Sequence, residues 1–298
     1  MTQPFLLAQI SDLHITTGGR LSYRVVDTAS MARACVKHVL SLKQRPHAVV
    51  ITGDLTDSGR PEEYALLREL ITPLEMPVYL IPGNHDERGA LRAAFGDHAY
   101  LGQSSDAIQY TIEAHPLRIV ALDTVIPGES GGELAPESIA WLDRALAQAP
   151  ERPTVVLMHH PPFTTFIGHM DACGLRNPQP LAAVIRRHPQ VERILCGHVH
   201  RAIEVRFAGT IASTAPSTAH QVVLDLDVEA PGSSSWSPRV TGCTRTRARR
   251  DWCPTSRTWA SFPGRTRSGT GSGFPRASPI IPPSFLGTGT TGAGYPAP

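Results

Sequence analysis

The feature that most narrows the possible folds is one pattern used five times: a short apolar run that ends on residues able to bind a metal. Residues 6–10 (LLAQI) open into Ser11-Asp12-Leu13-His14, and residues 48–52 (AVVIT) open into Gly53-Asp54. Residues 78–81 (VYLI) open into Pro82-Gly83-Asn84-His85-Asp86, 155–158 (VVLM) into His159-His160, and 193–196 (RILC) into Gly197-His198-Val199-His200. Short runs of aliphatic and β-branched residues bounded by turn residues read as buried strands. Ligands of open α/β sheets gather at the carboxyl edge of the strands, so the five turns are expected to meet there.

The segments between the runs read mostly as helices. Asp27 is placed to cap a helix reaching about residue 42, with Ala32, Cys35, Val36, Val39 and Leu40 on one face. Pro61 stands at a first helical position before Glu62-Glu63, and Leu66, Leu67, Leu70 and Ile71 form the buried stripe. A short helix is expected at 88–95, followed by a hairpin of 108–114 and 117–123, and further helices at 136–148 and from Asn177-Pro178 onward. The opening strand–helix alternation predicts parallel strands with right-handed crossovers. Further strands are expected at 203–207 and 222–226. The long mixed segment 161–176, directly after His159-His160, reads as a lid or binding loop.

The 298 residues suffice for one large α/β domain, and no apolar run approaches the ~18 residues of a membrane span. No secretory leader is visible at the start, and the five cysteines form no CxxC pair, so a reducing cytoplasm is the expected setting. The net charge of +2 is unevenly spread. Residues 231–298 carry nine Arg, no Lys and one acid, or +8, which leaves −6 on residues 1–230. That acidic body shows no basic-aromatic stripe of the kind a nucleic-acid groove needs.

Asp12, His14, Asp54, Asn84, His159, His198 and His200 are the candidate metal ligands. Carboxylate, imidazole and amide oxygen together suit a borderline divalent ion such as Mn, Fe, Zn or Co, and the absence of cysteine disfavours a structural zinc knuckle. In an extended segment residues i and i+2 face one side, so Asp12/His14 and His198/His200 can each line one cavity. Glycines 53, 83 and 197 let the chain turn sharply beside the ions. Seven ligands exceed the needs of one ion. A bridging carboxylate such as Asp54 then predicts a centre of two divalent ions.

The series D-x-H, GD, GNHD, HH and GHVH, at 12–14, 53–54, 83–86, 159–160 and 197–200, resembles the calcineurin-like metallophosphoesterase superfamily. The phrases HHPPF (159–163) and GHMD (168–171) are similar to the branch of class III cyclic nucleotide and glycerophosphodiester phosphodiesterases. The resemblance implies an α/β fold, a four-layer αββα sandwich of two sheets with the metals at one edge. It further implies that Asp12, His14, Asp54 and His200 hold one ion, and Asp54, Asn84, His159 and His198 the other. Hydroxide generated at the ions would attack a small phosphodiester in line, with His85 beside the scissile phosphate as the acid for the leaving alkoxide or as a hydrogen-bonder only. Asn84, His85 and His198, with His169 on the following loop, are the candidate substrate contacts. His160 reads equally as a partner of the metal histidines or as the turn before Pro161-Pro162. His220 and the remaining histidines read as structural. Competing readings are a phosphomonoesterase or nuclease on the same scaffold, or a non-catalytic interaction scaffold, which loss of ligands would betray; none of the seven is lost. No membrane or nucleic-acid partner is expected, and a homodimer or higher homo-oligomer is compatible with the sequence.

From residue 231 onward 40 of 68 residues are Gly, Pro, Ser or Thr and seven are Leu, Ile, Val or Phe, too few to offset chain entropy by burial. The stretch is therefore expected to be a disordered tail after a domain of residues 1–230. Complete replacement of Lys by Arg also fits GC-rich codons read out of frame. From the third base of the Asp251 codon, allowed codons through Arg267 spell LVSHVAYVGEFPGPYP, which alternates like a strand and is similar to the C-terminal segment of the family.

Overall fold

The computed structural model describes residues 4–102 and 107–227, Gly232, and strand backbones at 234–235, 240–246 and 259–260. In chain order the first half runs β1 (Phe5–Ile10), α1 (Thr28–Ser41), β2 (Ala48–Thr52), α2 (Pro61–Ile71), β3 (Val78–Ile81), α3 (Arg88–Ala94) and a 3₁₀ turn at Ala99–Leu101. Then follow β4 (Tyr110–Ile112), β5 (Arg118–Ala121), α4 (Pro136–Ala147), β6 (Thr154–Leu157), α5 (Gly168–Asp171), α6 (Gln179–Arg187) and β7 (Val191–Cys196). The last described elements are β8 (Ile203–Phe207), β9 (Thr210–Thr214), β10 (Gln221–Val222), β11 (Ser234–Ser235), β12 (Val240–Thr246) and β13 (Trp259–Ala260).

Local chemistry accounts for the helix starts. Asp27 accepts the Ser30 amide at 3.0 Å and the Ser30 hydroxyl at 2.6 Å, satisfying a free donor at the head of α1. Glu63 reaches back to the amides of Ser58 and Arg60 at 2.9 and 3.3 Å at the head of α2.

Two sheets face one another. One has the order β13-β12-β1-β2-β3 with β1, β2 and β3 parallel, and the other has the order β4-β5-β6-β7-β9-β8. In the second, β5, β6, β7 and β9 are parallel and the outer strands β4 and β8 run antiparallel. Side-chain alternation builds the layers. Ile119, Ala121, Val155, Leu157 and Leu195 point inward and share one core with β1–β3, α1 and α2. Their neighbours Val120, Val156, Ile194 and Cys196 point outward onto Leu142 and Leu146 of α4 and Leu181, Val184 and Ile185 of α6. The result is helix, sheet, sheet, helix. Leu157 is fully buried between the sheets, where truncation to Ala costs about 2–5 kcal/mol.

One strand goes unassigned in the sequence, one expected strand is shortened, and one expected loop gains a helical turn. The strand Thr210–Thr214 goes unread in the sequence because its turn, Ala208-Gly209, takes positive φ (51° and 99°) at an alanine, which is a poor turn signal. The run 222–226 yields only the two-residue strand Gln221–Val222. Leu224 and Leu226 are 54% and 64% exposed, so their alternation has no sheet to join. Segment 161–176 contains a single helical turn, α5.

The stretch expected as a tail contributes to the sheet. β12 pairs antiparallel along β1 from Phe5↔Thr246 to Gln9↔Gly242, and β13 pairs with β12. Apart from Trp259 and Ala260, the segment 251–267 singled out for the alternative reading frame lies outside the described residues, as does most of 231–298.

Candidate metal centre

All five turns do meet at one edge of the sandwich, where the carboxyl ends of β1, β2 and β3 lie against those of β6 and β7. Gln9 ties the sheets there, donating to Thr52 Oγ1 at 3.0 Å and to the Cys196 carbonyl at 2.9 Å. The amide of Gly197 donates to the His159 carbonyl at 3.0 Å, and the amide of His198 to Asp12 Oδ1 at 2.9 Å.

The candidate ligands converge by an unexpected backbone route. Asp12, His14, Asp54, His198 and His200 all have positive φ, between 47° and 72°, so the i and i+2 pairs meet through left-handed turns and not through extended chain. Such conformations cost about 1–3 kcal/mol each at non-glycine residues and cluster at functional sites. The glycines also act differently from one another. Only Gly53 needs its freedom of φ (92°). At all three a Cβ would collide, with His159 at Gly53, with Asp54 at Gly83 and with Ser11 at Gly197, so each allows close approach.

The first half of the centre is formed by Asp12, His14, Asp54 and His200, all buried, whose ligand atoms lie within 4.8 Å of one another. His14 Nε2 is 3.0 Å from His200 Nε2 and 3.5 Å from Asp54 Oδ2, and His200 Nε2 is 3.4 Å from Asp12 Oδ1. Asp12 Oδ2, His14 Nδ1 and His200 Nδ1 are buried with no hydrogen-bond partner among the described residues. An orphaned carboxylate oxygen beside two imidazole nitrogens in near contact is costly without a cation, so these residues fit a divalent ion.

The second half is formed by Asp54, Asn84, His159 and His198. Asn84 Oδ1 is 3.2 Å from His159 Nε2 and 3.1 Å from His198 Nδ1, and Asp54 Oδ1 is 3.4 Å from His159 Nε2. The two oxygens of Asp54 thus face different halves, so that this one carboxylate could serve both. His159 donates Nδ1–H to the Thr52 carbonyl at 2.8 Å, which turns Nε2 toward the centre. His160 stands 4.6 Å, ring to ring, from His198, but Thr124 Oγ1 at 2.8 Å and the Ser130 carbonyl at 3.2 Å occupy both its nitrogens. It is a packing partner of the centre.

Charge is distributed to match. Burial would raise the Asp54 carboxyl, but His159, His85 and His14 outweigh it and hold it well below the usual range. His159 goes the other way: burial opposes its charge, yet Asp54 and Asp12 raise it to about 9. His198 is lowered to about 3 by burial and by His159, and burial likewise lowers His14 despite Asp54. His85 lies outside both halves. Its amide donates to Asp54 Oδ1 at 3.0 Å and its Nδ1–H to the Asp57 carbonyl at 2.9 Å, leaving Nε2 uncommitted. Burial works against protonation of His85, but Asp54 and the Asp57 carbonyl win and raise its pKa.

Some residues of the centre are not legible in the sequence. Asp86 is buried and accepts from the amides of Leu55, Thr56 and Gly83 and from the hydroxyls of Thr56 and Tyr64, at 2.9–3.1 Å. It pins the Asp54 turn to the Asn84 turn, and the D of GNHD is the only sequence signal for it. His220 is buried with its ring 4.4 Å from that of His200 and 5.5 Å from that of His14, so it packs directly on the first half. His169, expected at the substrate, stands on α5 against Gly232 and does not join the imidazole cluster. The distant histidines are satisfied as expected: His47 accepts the Leu6 amide, and His188 pairs with Asp143.

Among the described residues no helix is long and apolar enough to cross a membrane. Known proteins resemble this chain in sequence and in fold. The chain is 37% identical over 234 residues to a probable glycerophosphodiester phosphodiesterase of Arcobacter nitrofigilis, covering 78% of this chain and 85% of that protein. It is 32% identical over 232 residues to a 3',5'-cyclic adenosine monophosphate phosphodiesterase of Pseudomonas aeruginosa, covering 78% and 80%. A solved dimetal phosphatase of Danio rerio shares the fold with a TM-score of 0.61 at 15% identity, over 85% of this chain and all of that one. The sequence model of the calcineurin-like phosphoesterases matches residues 5–202, and the chain belongs to that family.

Proposed function

We propose that the chain is a metal-dependent phosphodiesterase that hydrolyses a small diester, either a 3',5'-cyclic nucleotide or a glycerophosphodiester. The observation that carries this reading is the meeting of Asp12, His14, Asp54, Asn84, His159, His198 and His200 around the two carboxylate oxygens of Asp54, with His85 beside them. Relatives named for both diester classes align over most of the chain.

These residues would hold two divalent ions, which when bound would supply a water acidic enough to ionise near neutral pH and would offset charge on the phosphoryl oxygens. Asp12, His14, Asp54 and His200 would hold one ion, and Asp54, Asn84, His159 and His198 the other. Asn84 and His198 orient the phosphoryl group from the second half. His85, with Nδ1–H spent on the Asp57 carbonyl, presents Nε2 to the leaving alkoxide, and its raised pKa keeps a proton available for that oxygen. An alkoxide is a poor leaving group, so the proton matters most for natural diesters.

A cavity of about 510 Å³ opens beside Asn84 and His85, walled by Asp57, Ser58, Glu129 and Ser130, with room for the alcohol part of a diester. Arg88 on its wall is engaged by Asp123 in a bidentate pair at 2.6 and 3.0 Å. The experiment is a panel: purified protein with Mn assayed on cAMP, glycerophosphodiesters, bis-p-nitrophenyl phosphate and p-nitrophenyl phosphate. The reading expects diesters to be favoured over the monoester by kcat/KM, and a preference for the monoester overturns it.

A further inference from the structure

Cys173, on the loop after His159, touches the centre without being one of its candidate ligands. It lies just beyond α5, partly buried, with Sγ 3.3 Å from His198 Nε2. The same sulfur is 3.3 Å from the His169 carbonyl oxygen and 3.4 Å from that of Met170. Two proton arrangements fit the contact between Sγ and Nε2: S–H can donate to Nε2, which puts the ring proton on Nδ1, or S–H can donate to a backbone carbonyl while the sulfur accepts Nε2–H of His198, and only the second leaves Nδ1 free for a cation shared with Asn84 Oδ1. A neutral imidazole carries one N–H, so a proton on Nε2 leaves the lone pair on Nδ1. Nδ1 is the nitrogen that faces Asn84 Oδ1 at 3.1 Å.

The loop is tied on both sides of the cysteine. Asp171 accepts from the amide and hydroxyl of Thr165, both at 2.7 Å, and from the Phe166 amide at 2.8 Å. Ile167 is fully buried against Val199 and Val222. Beyond Cys173, Gly132 exchanges hydrogen bonds with the Gly174 carbonyl at 3.2 Å and the Arg176 amide at 2.7 Å. The sulfur therefore sits at a fixed point, as a group that orients a metal-facing imidazole must.

We propose that Cys173 is a positioning residue for the second half of the centre, acting through His198 by holding it in the tautomer that offers Nδ1 to an ion. This rests on the reading of His198 as a ligand. Thiol sulfur is a weak acceptor, so the support is softer than the Thr52 carbonyl gives His159. The loop that covers the site thereby also sets how tightly the second ion is held.

The test is calorimetric titration of the metal-free full chain with Mn, comparing the wild type with Cys173→Ala, Cys173→Val and Cys173→Ser. Alanine and valine remove the acceptor and should weaken the second ion by about tenfold while moving the first by no more than about twofold. Serine keeps an acceptor and should retain most of the affinity. In steady state, Cys173→Ala should regain wild-type kcat on bis-p-nitrophenyl phosphate at saturating Mn, with a raised Mn requirement. Unchanged second-ion affinity in both the alanine and valine variants overturns the proposal, and so does equal weakening of both ions. His198→Ala that still binds two ions with wild-type affinity would instead remove the ligand reading itself.

Discussion

The two halves of the centre are built on opposite economies of charge and support. The first holds two carboxylates, Asp12 and Asp54, and two imidazoles whose outer nitrogens have no hydrogen-bond partner among the described residues; Asp57 Oδ1 stands 3.9 Å from His14 Nδ1. The second borrows Asp54, adds a neutral amide, and has both imidazoles held from behind, His159 by the Thr52 carbonyl and His198 by Cys173. Charge attracts an ion to the first half, whereas fixed geometry must do more of the work in the second. The first ion should therefore bind more tightly, and the two halves should respond to different mutations.

Five perturbations test that contrast. Asp54→Ala removes the one carboxylate common to both halves and should abolish binding of both ions, with kcat/KM falling by about a thousandfold or more. Elemental analysis finding two ions per chain in that variant breaks the contrast at its root. Asp86→Ala leaves three amides and two hydroxyls without their acceptor and should destabilise the fold by about 3 kcal/mol or more in thermal or chemical unfolding. A change under about 1 kcal/mol would show that the Asp54 and Asn84 turns do not depend on that pin.

Selective variants sharpen the comparison. Asp12→Asn should weaken the first ion and Asn84→Ala the second, each by about 10–100-fold, and titrations in which both variants hit the same ion contradict the assignment. The smallest effect is that of pH. In the metal-free protein His159 is raised to about 9, so an ion must displace a proton there at neutral pH. Affinity for the second ion should rise by up to about tenfold per pH unit between pH about 7 and 9 and then level. The same shift means that His159 stabilises the metal-free fold fully below about pH 6.5, and that this stability is lost as pH rises through about 9. Proton release measured in buffers of different ionisation enthalpy checks the first statement, and unfolding curves of the metal-free protein across that range check the second.

Much of this was legible because strands that deliver ligands announce themselves twice, by an apolar run and by the polar turn after it. The seven candidate ligands are read from that doubling, as are the parallel strands and most helices, whereas the role of His85 is what the family resemblance implies. What the sequence withheld lies in contacts between distant segments. Gln9 sits mid-strand in an apolar run, and its partners, Thr52 Oγ1 on the neighbouring strand and the Cys196 carbonyl of the second sheet, lie 43 and 187 residues on. Asp86 looks like the end of a motif, but its acceptors' partners come from three separate segments. The left-handed backbone of Asp12, His14, Asp54, His198 and His200 has only a weak signal in residue type, the tolerance of Asp and His for positive φ, because the packed edge around it imposes the strain. Cys173 and His220 are unremarkable by spacing and acquire meaning only through their distance to His198 and His200.

The most direct test of a two-ion phosphodiesterase centre is stepwise reconstitution. The metal-free chain is titrated with Mn while hydrolysis of bis-p-nitrophenyl phosphate is followed in the same samples. Two binding steps are expected, the tighter one silent and hydrolysis appearing with the second, and chelation should abolish it. Hydrolysis that persists in the metal-free chain, or that is complete after one equivalent, would contradict the account.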